Sequence, residues 1–130
     1  MTNLDLVNMA IGAMKNSYSP YSNFKVGAAL LCENNEVYLG TNIENSSFSA
    51  TNCAERTAFF NAISEGNNKF SKIAVVGGKG GKITSFCSPC GVCRQVMTEF
   101  CDKDFEILLY NGEEIKVFKL EEILPMSFEM

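Results

Sequence analysis

Cys53-Ala54-Glu55-Arg56-Thr57-Ala58 and Ser88-Pro89-Cys90-Gly91-Val92-Cys93-Arg94-Gln95 are the two stretches that organise this chain. A helix begins near Cys53, with Ala54, Ala58, Phe59, Ala62 and Ile63 on its buried face, and Gly66 ends it as a C′ residue. Lys72 to Gly78 follows, and its core Ile73-Ala74-Val75-Val76 is a continuous apolar run, the mark of a central buried strand. Pro89 then precedes a helix from Gly91 to about Cys101, with Val92, Val96, Met97 and Phe100 facing inward. Cys53 and Cys90 are 37 positions apart (90 − 53), and a helix, a strand and a loop lie between them. That crossover brings both cysteine groups to helix N-termini on one side of a sheet.

Working outward, Leu4, Val7, Ile11 and Met14 recur at helical spacing, so residues 3 to 16 read as an amphipathic packing helix. Tyr18 to Asn23 is turn-rich. Phe24 to Cys32 and Val37 to Asn42 read as a hairpin around Glu33-Asn34-Asn35. Gly27, inside the first of these strands, predicts close approach of another backbone or of a ligand. Asn42 to Asn52 is a polar loop. Gly77-Gly78-Lys79-Gly80-Gly81 lacks the Lys-Ser/Thr ending of a phosphate-binding loop and reads as a flexible connector. Glu106 to Tyr110 and Glu114 to Phe118 form a second hairpin through Asn111-Gly112. Leu120 to Leu124 makes one helical turn before Pro125. The order α-β-β-α-β-α-β-β predicts an α/β fold: a mixed five-stranded sheet with helices on both faces, a three-layer α-β-α sandwich.

The chain's 130 residues suffice for a single domain, 1–130, around one core. A net charge of -4 with no basic run argues against nucleic-acid binding through phosphates. No apolar stretch approaches the roughly 20 residues of a membrane span. Met1-Thr2-Asn3-Leu4-Asp5 lacks the basic start of a signal peptide, so the expected location is cytoplasmic and the six cysteines point to metal or redox roles before disulfides.

The chain has no histidine, so any metal or acid/base site must be built from cysteine and carboxylate. Cys53, Cys90 and Cys93 supply three thiols. Three thiolates fill three corners of a tetrahedral zinc and leave the fourth for water, which is a catalytic rather than a structural layout. The partial positive charge of a helix N-terminus favours the thiolate form. Glu55, two residues after Cys53, is the carboxylate placed to move protons. Arg56 offsets the net charge of -1 that three thiolates leave on Zn²⁺ by hydrogen-bonding their sulfurs. Arg94 and Gln95 support either the site or a subunit contact. Cys87 competes for a ligand place but precedes the Ser-Pro turn rather than sitting on the helix. Cys32 and Cys101 read as small core residues.

The two motifs together resemble the cytidine deaminases of the short homotetrameric zinc-dependent nucleoside type. The resemblance runs from Tyr18-Ser19-Pro20-Tyr21-Ser22-Asn23-Phe24-Lys25-Val26-Gly27-Ala28-Ala29, through Gly40-Thr41-Asn42-Ile43-Glu44-Asn45, to Leu124-Pro125. It implies that family's fold and one zinc per chain. It also implies hydrolysis of cytidine and deoxycytidine to uridine and deoxyuridine with release of ammonia, as in pyrimidine salvage. The resemblance further implies that Asn42 and Glu44 hydrogen-bond the ribose 3′-hydroxyl, that Phe24 packs on the pyrimidine, and that the Ala54 backbone contacts the base edge. Phe48 stands where the family often has tyrosine. A homotetramer with shared active sites is implied too, with Phe128 reaching a neighbouring subunit's site.

Three other readings remain open at this stage. Cys90-Gly91-Val92-Cys93 has the form of a thioredoxin dithiol, a reading that leaves Cys53, Glu55 and Arg56 idle. A closed four-cysteine zinc module would recruit Cys87. A blasticidin-type aminohydrolase would keep the chemistry and change the nucleoside.

Overall fold

Apolar runs with no polar face need cover on both sides, and the sheet here receives it. The computed structural model describes residues 1–130. Its strands are β1 (Phe24–Cys32), β2 (Val37–Thr41), β3 (Phe70–Lys79), β4 (Glu106–Tyr110) and β5 (Ile115–Lys119), in the spatial order β2-β1-β3-β4-β5. All neighbouring pairs are antiparallel except β3 with β4, which is parallel. The sheet is mixed and five-stranded, as the element order predicts.

The period of two along each strand sorts side chains into two cores. Ala29, Leu31, Ala74, Val76 and Leu108 face α1 (Asn3–Ala13), which contributes Leu6, Val7 and Ala10. Ala28, Leu30, Ile73, Val75, Ile107 and Leu109 face the other way. There they meet α2 (Ala54–Ser64), α3 (Gly91–Phe100) and α4 (Leu120–Ile123), through Ala58, Phe59, Ala62, Met97 and Leu120. Phe59 is fully buried and locks this layer, its ring edge-on to Phe70 at 5.0 Å and close to Phe105 at 6.0 Å. Thr2 and Asp5 form a capping box that starts α1.

Several details depart from the sequence reading. On α1 the inward stripe is Leu6, Val7 and Ala10, and Leu4 is exposed; the apolar residues are dense enough to support either register, and the sheet selects one. Val92 is also exposed, because Cys93 and Met97 take the inward face of α3. Gly77 and Gly78 belong to β3, as the strand reading of Lys72 to Gly78 has them and the connector reading does not, and they pair with Val26 and Lys25 of β1. Only Gly80 and Gly81 turn, both with positive φ.

Two strand glycines set the helix positions. A Cβ on Gly27 would stand 2.1 Å from the Ala10 carbonyl oxygen of α1. A Cβ on Gly40 would stand 2.2 Å from the Ala54 carbonyl oxygen, in the first turn of α2. Each helix lies against bare backbone, and α2 is seated by its beginning, where Cys53 leads in. No helix is long and apolar enough to cross a membrane.

Gly40→Ala is expected to destabilise the fold by about 1–3 kcal/mol, the usual cost of overpacking, because the methyl meets the α2 backbone at Ala54 and Ala58 and the Ala58 Cβ. Thermal unfolding checks this, and an unchanged melting temperature would contradict the proposed seating of α2.

Candidate active site

Both helices that carry the cysteine motifs begin with a cysteine. Cys53 is the N-cap of α2 and Cys90 the N-cap of α3, each in extended conformation and neither thiol capping its own helix. Their side chains are therefore free to turn toward each other. Cys93, one turn into α3, completes the group, and the three sulfurs lie within 4.8 Å of one another. The Cys53–Cys90 sulfur separation is 3.8 Å and the Cys90–Cys93 separation 3.6 Å. A tetrahedral zinc with sulfurs at about 2.3 Å has edges of about 3.8 Å, so the donor set and its spacing both fit that ion.

The electrostatics of the triangle are uneven. The Cys53 thiol is held down to about 5, first by its hydrogen bond with Cys93 and then by Arg56. The same hydrogen bond to Cys53, with burial, pushes Cys93 up. Arg56 Nη2 donates to Cys53 Sγ at 3.1 Å. Burial works against the guanidinium's charge, but its bonds to Cys53 and Cys93 outweigh that and hold it above its ordinary value. Cys87 lies outside the triangle. Its sulfur packs over Gly77, 2.9 Å from where a Cβ there would stand. Burial pushes its thiol up to about 12, which makes it a poor thiolate.

Glu55 is 4% exposed. Burial pushes its carboxyl up to about 7, its own backbone N–H opposing and the Cys53 charge adding to the rise. A carboxyl of that strength accepts and returns a proton near neutrality with little bias, which suits general acid/base work.

The remaining candidates gather around the β1–β2 edge. Ile43 and Asn52 exchange backbone hydrogen bonds of 2.9 Å, which ties the loop bearing Asn42 and Glu44 to the residue before Cys53. The Asn42 amide behaves like an extra strand residue. Its Nδ2 donates to the Phe24 carbonyl at 2.7 Å, and its Oδ1 accepts from Val26 N at 3.0 Å and from Ser17 Oγ. One Nδ2 hydrogen remains for a ligand. Glu44 Oε1 accepts from Tyr21 N and Ser22 N, and Oε2 accepts from Ser22 Oγ. Those bonds, the Ser22 hydroxyl foremost, hold Glu44 below the usual carboxylate range. Phe24 is partly exposed, and its ring edges the space over Gly77 beside Cys87. Ala54 is buried, and as the first residue of α2 its N–H has no partner inside the helix. Phe48 and Phe128 are exposed.

Three contributors escape the sequence reading. Ser17 and Ser22 hold Asn42 and Glu44, and Gly77 makes room for Phe24 and Cys87. A glycine inside the longest apolar strand was the available signal for the last. The serines carry none, since their bonds join residues 25 and 22 positions apart.

Residues 1–109 match the family model described as the cytidine and deoxycytidylate deaminase zinc-binding region. The chain belongs to the cytidine and deoxycytidylate deaminase family. It is 48% identical over 117 residues to a cytidine deaminase of Sporosarcina psychrophila, spanning 89% of this chain and 83% of that one. A cytidine deaminase of Halalkalibacterium halodurans is 46% identical over 124 residues, 95% and 91% of the two chains. The crystal structure of cytidine deaminase from Burkholderia pseudomallei superposes with a TM-score of 0.90 at 42% identity, covering 98% of this chain and all of that one. The fold is thus that of the cytidine deaminases, and the cofactor is zinc. Membership in a zinc-binding family, with a third sulfur beside the CxxC pair, removes the dithiol redox reading.

Two outcomes follow from this geometry. Cys87→Ser is expected to keep one zinc per chain, while Cys53→Ser and Cys90→Ser lose it; elemental analysis of the purified variants reads this directly. Arg56→Ala is expected to lower turnover by about 10- to 100-fold, the range for removing a group that supports a metal ligand, with the far-ultraviolet circular dichroism unchanged.

Proposed function

We propose that this chain hydrolyses cytidine and deoxycytidine to uridine and deoxyuridine, releasing ammonia. The observation that carries the reading is the buried Glu55 carboxyl on the first turn of α2, beside a sulfur triangle with the edges of a zinc tetrahedron. Cys53, Cys90 and Cys93 hold the zinc. When bound, the metal supplies the Lewis acidity that brings water toward ionisation near neutral pH.

Glu55 moves every proton in this scheme. It takes one from the attacking water and gives it to N3 of the base, which makes C4 electrophilic as the water oxygen adds there. It then takes the second proton of that water and delivers it to the exocyclic nitrogen. The C4–N bond breaks, ammonia leaves, and the C4 oxygen remains as the carbonyl of uridine. The chain has no histidine to share this work. Arg56 draws charge from the Cys53 sulfur and so keeps the metal acidic. The Ala54 backbone faces the base edge and Phe24 packs on the ring. The spare Nδ2 hydrogen of Asn42 is directed to the ribose 3′-hydroxyl, with Glu44 beside it.

The working form in this reading is a homotetramer in the cytoplasm, acting in pyrimidine salvage. Free cysteines suit a reducing compartment. In that tetramer Phe128 would cap the base in a neighbouring subunit.

Glu55→Gln keeps the shape of the side chain but accepts no proton. Its turnover is expected to fall by more than the ~10²–10⁴-fold of ordinary acid/base assistance, with zinc and nucleoside binding retained. Turnover within about tenfold of the parent at full zinc occupancy, well short of that range, would mean another group carries the protons. Sedimentation is expected to show a tetramer, and deletion of residues 126–130 to impair activity. A monomer, or a fully active truncated chain, would count against shared sites.

A further inference from the structure

Arg94 and Gln95 are neighbours on α3 whose side chains reach one distant piece of chain. Arg94 Nη1 donates to the carbonyl of Ile123, the last residue of α4, at 2.5 Å. Gln95 Nε2 donates to the carbonyl of Phe128 at 2.9 Å. The C-terminal segment between them is thereby held at both ends, although the Phe128 ring itself is exposed.

The other arms of Arg94 point to the metal side. Nε donates to the Pro89 carbonyl at 2.8 Å and Nη2 to Ser88 Oγ at 2.7 Å. Ser88 and Pro89 are the two residues before Cys90. Residues 83–89 lie outside helices and strands and make no backbone–backbone hydrogen bond, so beside the buried Pro89 ring Arg94 supplies the polar anchor of this turn. The planar guanidinium serves three acceptors on two segments at once, which a compact ammonium does not.

We propose that Arg94 is a positioning residue that fixes the Cys90 turn and locks the C-terminal segment to it, so that the metal corner and the segment bearing Phe128 move as one body. This rests on the reading of Cys90 as a zinc ligand. Without Arg94 the turn loses its polar anchor, Cys90 samples positions off the sulfur triangle, and the segment beyond the packed Leu124 keeps only the Gln95 side-chain bond.

The test uses the zinc-loaded full chain, with zinc transfer to a chromogenic chelator and amide hydrogen exchange as paired readouts. Arg94→Met is expected to release zinc about 10- to 100-fold faster, as loss of such a supporting contact does elsewhere. Exchange over residues 124–130 rises with it, while β3 keeps its protection. Arg94→Lys rescues neither readout. Gln95→Ala raises exchange in the segment and leaves zinc release at the parental rate. Ser88→Ala, which removes one arm and leaves the helix intact, speeds zinc release without touching the segment. Parental zinc release in Arg94→Met and Ser88→Ala, or parental exchange of the segment in both Arg94 variants, would overturn the proposal. Loss of protection throughout the sheet would also overturn it, making Arg94 a general folding residue. If Cys90→Ser keeps its zinc, the ligand reading itself has failed, and the proposal with it.

Discussion

Charge at the metal is the constraint that the rest of the site answers. Three thiolates on one Zn²⁺ leave a net -1, and a metal so supplied is a weak acid unless something draws charge back. In the proposed site two helix N-termini and one guanidinium would do so. Cys53 and Cys90 both sit at N-caps, where the helix dipole is positive. Arg56 adds a full charge against Cys53. Burial first, and the Cys53 charge after it, keep Glu55 close to neutrality in its proton affinity. Metal acidity and carboxylate basicity are therefore set by one arrangement and are not tuned separately.

Such an arrangement depends on where the helices begin, more than on where they run. Gly40 lets the first turn of α2 rest on β2. The parallel β3–β4 pair, joined through α3, carries Cys90 to the same end of the sheet. Phe59 and Met97 then fill the layer below. The sulfurs meet because two helix starts are seated on one sheet.

Much of this was legible in the sequence because spacing carried it. The Cys53 and Cys90 motifs, the apolar run from Ile73 to Val76, and the Asn111-Gly112 turn each have a local physical cause that composition exposes. The inward register of α1 was not legible, since Leu4, Leu6 and Val7 are equally apolar and only the sheet chooses among them. The strand reading of Lys72 to Gly78 holds, and the connector reading of Gly77 and Gly78 fails for the opposite reason. Their turn-like composition hides a strand whose glycines give room to Cys87 and to the Lys82 backbone. The bonds of Asn42 and Glu44, and the bond from Arg94 to Ile123, join residues more than 15 positions apart. Contacts of that range leave no periodicity to read.

The strand pairing has a consequence for the order of folding. The β1–β2 hairpin is local, but β1 pairs with β3 from Phe24 opposite Lys79 to Cys32 opposite Phe70, across a loop that contains all of α2. Closing that loop costs chain entropy before any contact repays it, so it belongs to the slow part of folding. Cys53 lies inside that loop and Cys90 beyond β3, so their approach rests on the same long-range pairing. An ion that needs both sulfurs meets a high-affinity site only in a chain that has already solved its topology, and its binding energy falls on the correctly threaded product and not on the intermediates.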